Sequence, residues 1–66
     1  MDIILNGETT AIPDHLTVTQ LIEQLGLAGK RIAIEINQTI VPRSAHADTV
    51  LHSGDRVEIV HAIGGG

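Results

Sequence analysis

One short segment of the chain carries a complete helix signal, and this signal limits the folds open to so small a protein. Thr17 and Gln20 are spaced as a capping box, in which each side chain bonds to the other residue's backbone N–H. Leu16 and Leu21 occupy the two positions of a hydrophobic staple. Beyond the cap, apolar residues recur with the helical period at Val18, Leu21, Ile22 and Leu25. We therefore predict one short helix with a single apolar face.

The residues after this stripe predict where the helix ends. Gly26 suits the left-handed position that follows many helices, and Leu27 can then fold back on Ile22. The glycines and basic residues of this stretch, 26–31, do not form a phosphate-binding loop. Their spacing differs from that motif, no Ser or Thr follows Lys30, and a helix precedes them where the motif has a strand.

Strand patterns lie on both sides of the helix. Asn6-Gly7 is a strong hairpin signal, because both residues tolerate the positive φ of a type I′ turn. Asn37-Gln38 predicts a second turn, and Ser53-Gly54-Asp55 a third. Residues 43–49 read as irregular chain with one helical turn, after which Val50-Leu51 packs back on the core. The predicted strands are Ile3–Leu5, Thr9–Ile12, Ile32–Ile36, Thr39–Val41 and Arg56–Ile63.

This order of elements predicts an α+β fold, with one main helix packed on one face of a mixed sheet of four to five strands. A chain of 66 residues buries only about 60% of its unfolded surface, so the core is small. The sequence does not decide which face of the sheet Ile32 and Ile36 take, because a one-residue slip in register reverses it. We predict a single core made of Ile3, Leu5, Leu21, Leu25, Ile34, Val57 and Ile59.

Composition argues against several functional classes. The sequence has no Cys, which rules out disulfides and thiolate metal sites within the chain. It has no aromatic residue for base stacking and a net charge of −4, so we expect no nucleic-acid partner. No signal peptide or membrane span is recognisable, and we expect a cytoplasmic protein. The spacing of the four histidines does not suggest a metal site; they are His15, His46, His52 and His61.

The sequence closes with Gly64-Gly65-Gly66 directly after an apolar strand pattern. Glycine has no Cβ, so we expect residues 64–66 to form a thin flexible tail on a folded domain of residues 1–63. Such a tail can enter a slot too narrow for other residues. We expect Gly66 to carry a free carboxylate, ionised at neutral pH, that serves as a chemical handle.

The combined pattern resembles the sulfur-carrier family of thiamin biosynthesis, whose members have the ubiquitin-like β-grasp fold. The resemblance covers essentially the whole chain, and a third terminal glycine is its one departure from the family pattern. It implies that the last strand lies centrally in the sheet and parallel to the first. The residues that carry the resemblance are Asn6-Gly7, the helix segment Leu21–Leu25, the segment Ile36–Arg43, the turn at Gly54–Val57 and the terminal glycines.

The resemblance implies a carrier that is acted on by enzymes and is not an enzyme itself. An E1-like adenylating enzyme would use ATP to activate the Gly66 carboxylate, a sulfur-donor protein would supply sulfur, and thiazole synthase would consume the resulting thiocarboxylate. Gly64 and Gly65 would be recognised as part of the tail. The chain itself would bind no cofactor.

Three glycines offer little affinity, so a carrier also needs a docking surface. We expect this surface on the open face of the sheet, with Val60 among the apolar contacts and Arg43 or Arg56 at the rim. Two alternatives stay open. One is a carrier like the small subunit of molybdopterin synthase, and the other is a β-grasp interaction module whose tail is inert.

Overall fold

The computed structural model describes residues 1–61, and these form one helix against a mixed five-stranded sheet. The α+β, β-grasp prediction is confirmed. The predicted domain of residues 1–63 and the tail of residues 64–66 stay predictions, because their boundary lies outside the described residues. The elements are β1 (Asp2–Leu5), β2 (Glu8–Ala11), α1 (Val18–Gln24), β3 (Ile32–Ile36), β4 (Thr39–Val41), a 3₁₀ turn (Arg43–Ala45) and β5 (Arg56–His61).

The strand order is β2-β1-β5-β3-β4, which places the last strand at the centre of the sheet. β5 runs parallel to β1, with Leu5 opposite Val57, and antiparallel to β3, with Ile34 opposite Ile59. β1–β2 and β3–β4 are antiparallel hairpins. The central, parallel position of the last strand is the one that the family resemblance implies.

Both hairpins turn through two residues with positive φ, as type I′ turns require. The φ angles are 48° and 85° at Asn6 and Gly7, and 51° and 70° at Asn37 and Gln38. Asparagine tolerates this conformation better than most residues because its short side chain bonds locally. Both turns lie where the sequence predicts them.

The ends of α1 match the predicted capping. Gln20 N–H donates to Thr17 Oγ1 at 3.2 Å, and Thr17 N–H donates to Gln20 Oε1 at 2.9 Å. At the other end Gly26 has a φ of 72°, and the N–H of Leu27 donates to the Ile22 carbonyl at 3.0 Å. These bonds complete a capping box and a Schellman ending.

The core lies between α1 and one face of the sheet. Five of the seven predicted core residues are buried, and Leu5 packs partly buried against them. Leu25, which the sequence predicts in the core, is not part of it, so this prediction is wrong. It is the C-cap of α1 and is 40% exposed, because the helix ends before the stripe completes another turn over the sheet. Ile32 and Ile36 also pack against the core. The buried residues are Ile3, Ile12, Leu16, Val18, Leu21, Ile22, Ile34, Leu51, Val57 and Ile59.

The long connection from β4 to β5 is fastened to the start of α1. Val18 N–H donates to the Thr49 carbonyl at 2.9 Å, and Leu51 N–H donates to the Leu16 carbonyl at 2.8 Å. Leu51 is buried as predicted. Val50 is not, because it forms a bridge with Thr17 at the surface and is 38% exposed.

Candidate functional site

The site of interest is the end of β5, from which the terminal residues continue. His61, the last described residue, pairs with Ile32 at the start of β3, and Val60 pairs with Ala33. β1 pairs only with the first two residues of β5, Arg56 and Val57. The second half of β5 is therefore held in the sheet mainly from the β3 side.

Two asparagines hold the backbone of β5 through both their backbone and their side chains. The backbone N–H of Asn6 donates to the Val57 carbonyl at 2.9 Å, and its side-chain Oδ1 accepts from the Ile59 N–H at 2.8 Å. Asn37 accepts from the Arg56 N–H, through Oδ1, at 3.0 Å, and its own N–H donates to the Arg56 carbonyl at 2.8 Å. The first residue of each hairpin turn thus holds the central strand. Asn-Gly and Asn-Gln signal the turns in the sequence, but nothing local signals these long-range bonds.

The predicted docking residues do not all lie on the same face. Val60 and Arg56 alternate with the buried Val57 and Ile59, so they lie on the open face of the sheet, where Val60 is 51% exposed. Arg43 begins the 3₁₀ turn and lines a groove with Ile22 of α1, on the other side of the sheet. The structure therefore brings Val60 and Arg56 to one face and places Arg43 apart from them.

The open face carries an acidic pair that sequence reasoning did not find. Glu35 on β3 lies directly opposite Glu58 on β5 and also opposite Ile40 on β4, which is 65% exposed. Like charges at directly opposite positions destabilise a sheet. Neither glutamate forms an ion pair within residues 1–61. The open face thus combines apolar side chains, Val60 and Ile40, with an unneutralised negative pair.

The described part of the chain has neither a metal-binding cluster nor a membrane-spanning helix. Among residues 1–61, no group of three His, Asp or Glu side chains has a geometry that could hold a metal ion. In the same range, no helix is both long enough and apolar enough to cross a lipid bilayer. The predicted tail residues, Gly64, Gly65 and Gly66, lie outside the described residues.

Comparison with known proteins gives the family. The sequence model that defines the ThiS family matches residues 3–66 of the chain. The chain belongs to the ThiS family. The sulfur carrier protein ThiS of Escherichia coli K12 is 35% identical over 66 residues, which is the full length of both chains. A crystal structure of the thiamine biosynthesis protein ThiS from Geobacter metallireducens superposes with a TM-score of 0.88, at 30% identity, and covers both chains completely. The predicted family is thus confirmed.

Longer proteins also contain a region similar to this ThiS-family chain. A thiazole synthase of Paramagnetospirillum magneticum is 39% identical over all 66 residues, and so is a thiazole synthase of Magnetococcus marinus. The chain spans only a fifth of the length of each of these two proteins. They therefore show a ThiS-like region together with further sequence in one polypeptide.

Proposed function

We propose that this chain is a sulfur carrier of thiamin biosynthesis, acted on by enzymes and not itself a catalyst. The observation that carries the proposal is family membership over residues 3–66, together with the full-length match to the E. coli sulfur carrier. The similarity to two thiazole synthases favours thiazole formation over molybdopterin synthesis as the use of the sulfur.

The reacting group in this proposal is the α-carboxylate of Gly66. One carboxylate oxygen attacks the α-phosphate of ATP, pyrophosphate leaves, and an acyl-adenylate forms. The terminal sulfur of a persulfide on a donor protein then attacks the carbonyl carbon, and AMP leaves with the C–O bonding pair. A thiol reduces the resulting acyl disulfide, which leaves a thiocarboxylate on Gly66 and a disulfide elsewhere. Thiazole synthase would take the sulfur from that group.

The partners divide this chemistry among them. An E1-like adenylating enzyme binds ATP and catalyses the first step, a sulfur-donor protein supplies the persulfide, and thiazole synthase consumes the product. The carrier binds no cofactor in this scheme and supplies a handle and a docking surface. We propose the cytoplasm as the site of action, where ATP for the activation is available.

The folded body would serve the tail by fixing the direction in which it leaves the sheet. Asn6 bonds to both Val57 and Ile59, and His61 pairs with Ile32, so the root of the tail is held from two sides. Holding reactants in a defined geometry supplies a large part of an enzyme's rate acceleration. Gly64 and Gly65 would then pass through a channel too narrow for a side chain.

We place the docking surface for the adenylating enzyme on the open face of the sheet. Val60 is half exposed one residue before the end of β5, which puts an apolar contact beside the root of the tail. Arg56 lies on the same face at the other end of β5, about 13 Å along the strand. An apolar centre with charged residues at its rim is the usual arrangement of a protein interface.

The proposal is tested by intact-mass spectrometry of the chain incubated with the adenylating enzyme, ATP and a sulfur donor. We expect the mass of an added AMP moiety first, and then the mass change for sulfur replacing one oxygen. A matched variant with two residues added after Gly66 should gain neither mass, because its Gly66 carboxyl is an amide. Thiocarboxylate on the extended variant would overturn the proposal. Unmodified wild type would favour the module with an inert tail.

A further inference from the structure

A second surface borders the end of β5, on the opposite side of the sheet from the open face. It is a groove of about 240 Å³ between α1, the loop that follows it and the 3₁₀ turn. Apolar side chains form one part of it, and charged side chains form its rim. The residues are Ile22, Leu27 and Ile32 for the apolar part, and Glu23, Lys30 and Arg43 for the rim.

Hydrogen bonds hold all three walls of the groove in place. Thr19 N–H donates to the His46 carbonyl at 3.2 Å and ties α1 to the end of the 3₁₀ turn. The Lys30 N–H donates to the Leu27 carbonyl at 3.0 Å and closes the loop. The ring Nε2 of His46 donates to the Val41 carbonyl at 3.1 Å. A preformed groove loses little conformational entropy when a ligand binds.

Positive charge is concentrated at this groove. The chain has only four Lys and Arg residues; two of them, Lys30 and Arg43, line the groove, and Arg31 follows Lys30 directly. No carboxylate of residues 1–61 forms an ion pair with any of these three. Among the lining residues, Lys30 and Arg43 outnumber the single acid Glu23, whereas outside the groove two arginines stand against seven acidic residues. The distribution of charge is therefore opposite to that of the molecule as a whole.

We infer that this groove binds an acidic segment of a partner protein, in which an apolar side chain lies next to carboxylates. The rim cations fit the carboxylates, and the exposed parts of Leu27 and Ile32 fit the apolar side chain. A free inorganic anion would leave the apolar part of the groove unused. Arginine is enriched in protein interfaces because its side chain offers both charge and apolar area.

The position of the groove adds a consequence for assembly. Ile32 lines the groove and pairs with His61 at the end of β5, so the groove lies next to the root of the tail. The groove and the open face are on opposite sides of the sheet. A partner in the groove therefore leaves the open face free, and the inference does not depend on the carrier chemistry.

The test is an NMR titration of the uniformly ¹⁵N-labelled full chain with an eight-residue synthetic peptide that alternates Leu with Asp or Glu. We expect amide shifts confined to the groove, around Leu27–Arg31 and Arg43–His46. A peptide of the same length with Asn and Gln in place of the acids should bind about tenfold more weakly. Absence of groove shifts at millimolar peptide, or equal binding of both peptides, would overturn the inference.

Two variants of equal net charge separate the groove from general electrostatics. Lys30→Gln with Arg43→Gln should weaken binding about tenfold, whereas Thr9→Glu with Gln38→Glu, at exposed positions outside the groove, should change it less than about twofold. Equal weakening by both would show that only net charge matters and would overturn the inference.

NMR spectra of the protein without peptide test two other possible occupants of the groove. Tail amides at Gly64–Gly66 that move on the groove substitutions would show that the chain's own tail lies in the groove. Groove amides that move with protein concentration would show a second copy of the chain there. Either result would overturn the assignment to a partner segment.

Discussion

The side-chain oxygen of Asn6 accepts a hydrogen bond from the backbone N–H of Ile59 at 2.8 Å, although the two residues are 53 positions apart. Ile59 lies beyond the last residue that β1 pairs with, so the asparagine side chain replaces a strand neighbour at that point. The bond connects the first hairpin turn to the strand that leads into the tail.

Asn6→Gly tests this connection, because glycine keeps the positive φ of the turn and removes only the side chain. We expect a loss of about 1–3 kcal/mol in the free energy of unfolding, since the partly buried Ile59 N–H loses its partner. Denaturant unfolding gives the free energy, and hydrogen exchange should show faster exchange at Ile59. Gln38→Gly is the matched control at a turn residue with φ 70°, and it should not destabilise the protein. An unchanged exchange rate at Ile59 in Asn6→Gly would contradict the assigned bond.

Leu21→Ala and Leu25→Ala form a matched pair on the same helix stripe. Leu21 is 1% exposed, and its truncation should lower stability by about 2–5 kcal/mol, a large part of the total for so small a domain. Leu25 is 40% exposed at the helix end, and its truncation should cost less than about 1 kcal/mol. Thermal unfolding measures both. Equal losses would show that the end of α1 is packed more deeply than described.

Glu58→Lys replaces the like-charge pair with Glu35 by an opposite-charge pair. We expect a gain of about 0.2–1 kcal/mol in the free energy of unfolding, which falls at high salt because both groups are near the surface. Glu23→Lys, which makes the same change in net charge on α1, is the control. Melting curves at low and high ionic strength distinguish the local pair from the effect of net charge alone. A stability gain from Glu23→Lys as large as that from Glu58→Lys would assign the effect to net charge.

Arg56→Glu and Val60→Asp test the proposed docking face. Both side chains are exposed, so we expect stability to change by less than about 0.5 kcal/mol in each case. Arg56→Glu should slow association with the adenylating enzyme, because charges at the rim of an interface mainly change the association rate. Val60→Asp should speed dissociation, because buried apolar contacts mainly set the dissociation rate. Stopped-flow or surface binding kinetics with the adenylating enzyme resolves the two. Unchanged rates in both variants would place the docking surface elsewhere.

Gly65→Ala and deletion of Gly66 separate activity from folding. Both positions follow β5, so we expect only a few tenths of a kcal/mol in stability. Deletion moves the terminal carboxylate by about 3.5 Å, and a misplacement of 1 Å already lowers a rate by about 10²-fold. Single-turnover adenylation, followed by release of pyrophosphate, should therefore fall by at least that factor. Full activity after deletion of Gly66 would contradict the carrier proposal.

Local signals in the sequence predicted most of the fold, whereas the site depended on long-range register. Thr17, Gln20 and Gly26 mark the ends of α1 through bonds within a few residues, and Asn6-Gly7 marks a turn in the same way. Leu25 fits the helical period, but the period does not show that the helix ends there. The opposition of Glu35 and Glu58 follows only once β3 and β5 are aligned.

Core residues in irregular segments were missed for a related reason. Ile12 and Leu16 lie between β2 and α1; Ile12 ends a predicted strand and Leu16 belongs to the hydrophobic staple, but neither pattern shows that the residue is fully buried. Both become buried because the surrounding chain is folded against the sheet. The groove was likewise not predictable, because Lys30 and Arg43 are brought together by the path of the loops rather than by their spacing.

Because β5 is the central strand and the last of the five in the sequence, the sheet can be completed only after all the other strands have been synthesised. β1–β2 and β3–β4 can form as separate hairpins, but they share no neighbour until residues 56–61 have been synthesised. Contacts of such high sequence separation form late in folding and slow it. A growing or truncated chain that lacks this strand would present neither a finished sheet nor a positioned terminus. If partner enzymes recognise the sheet, as proposed, they would engage only chains whose synthesis has passed residues 56–61.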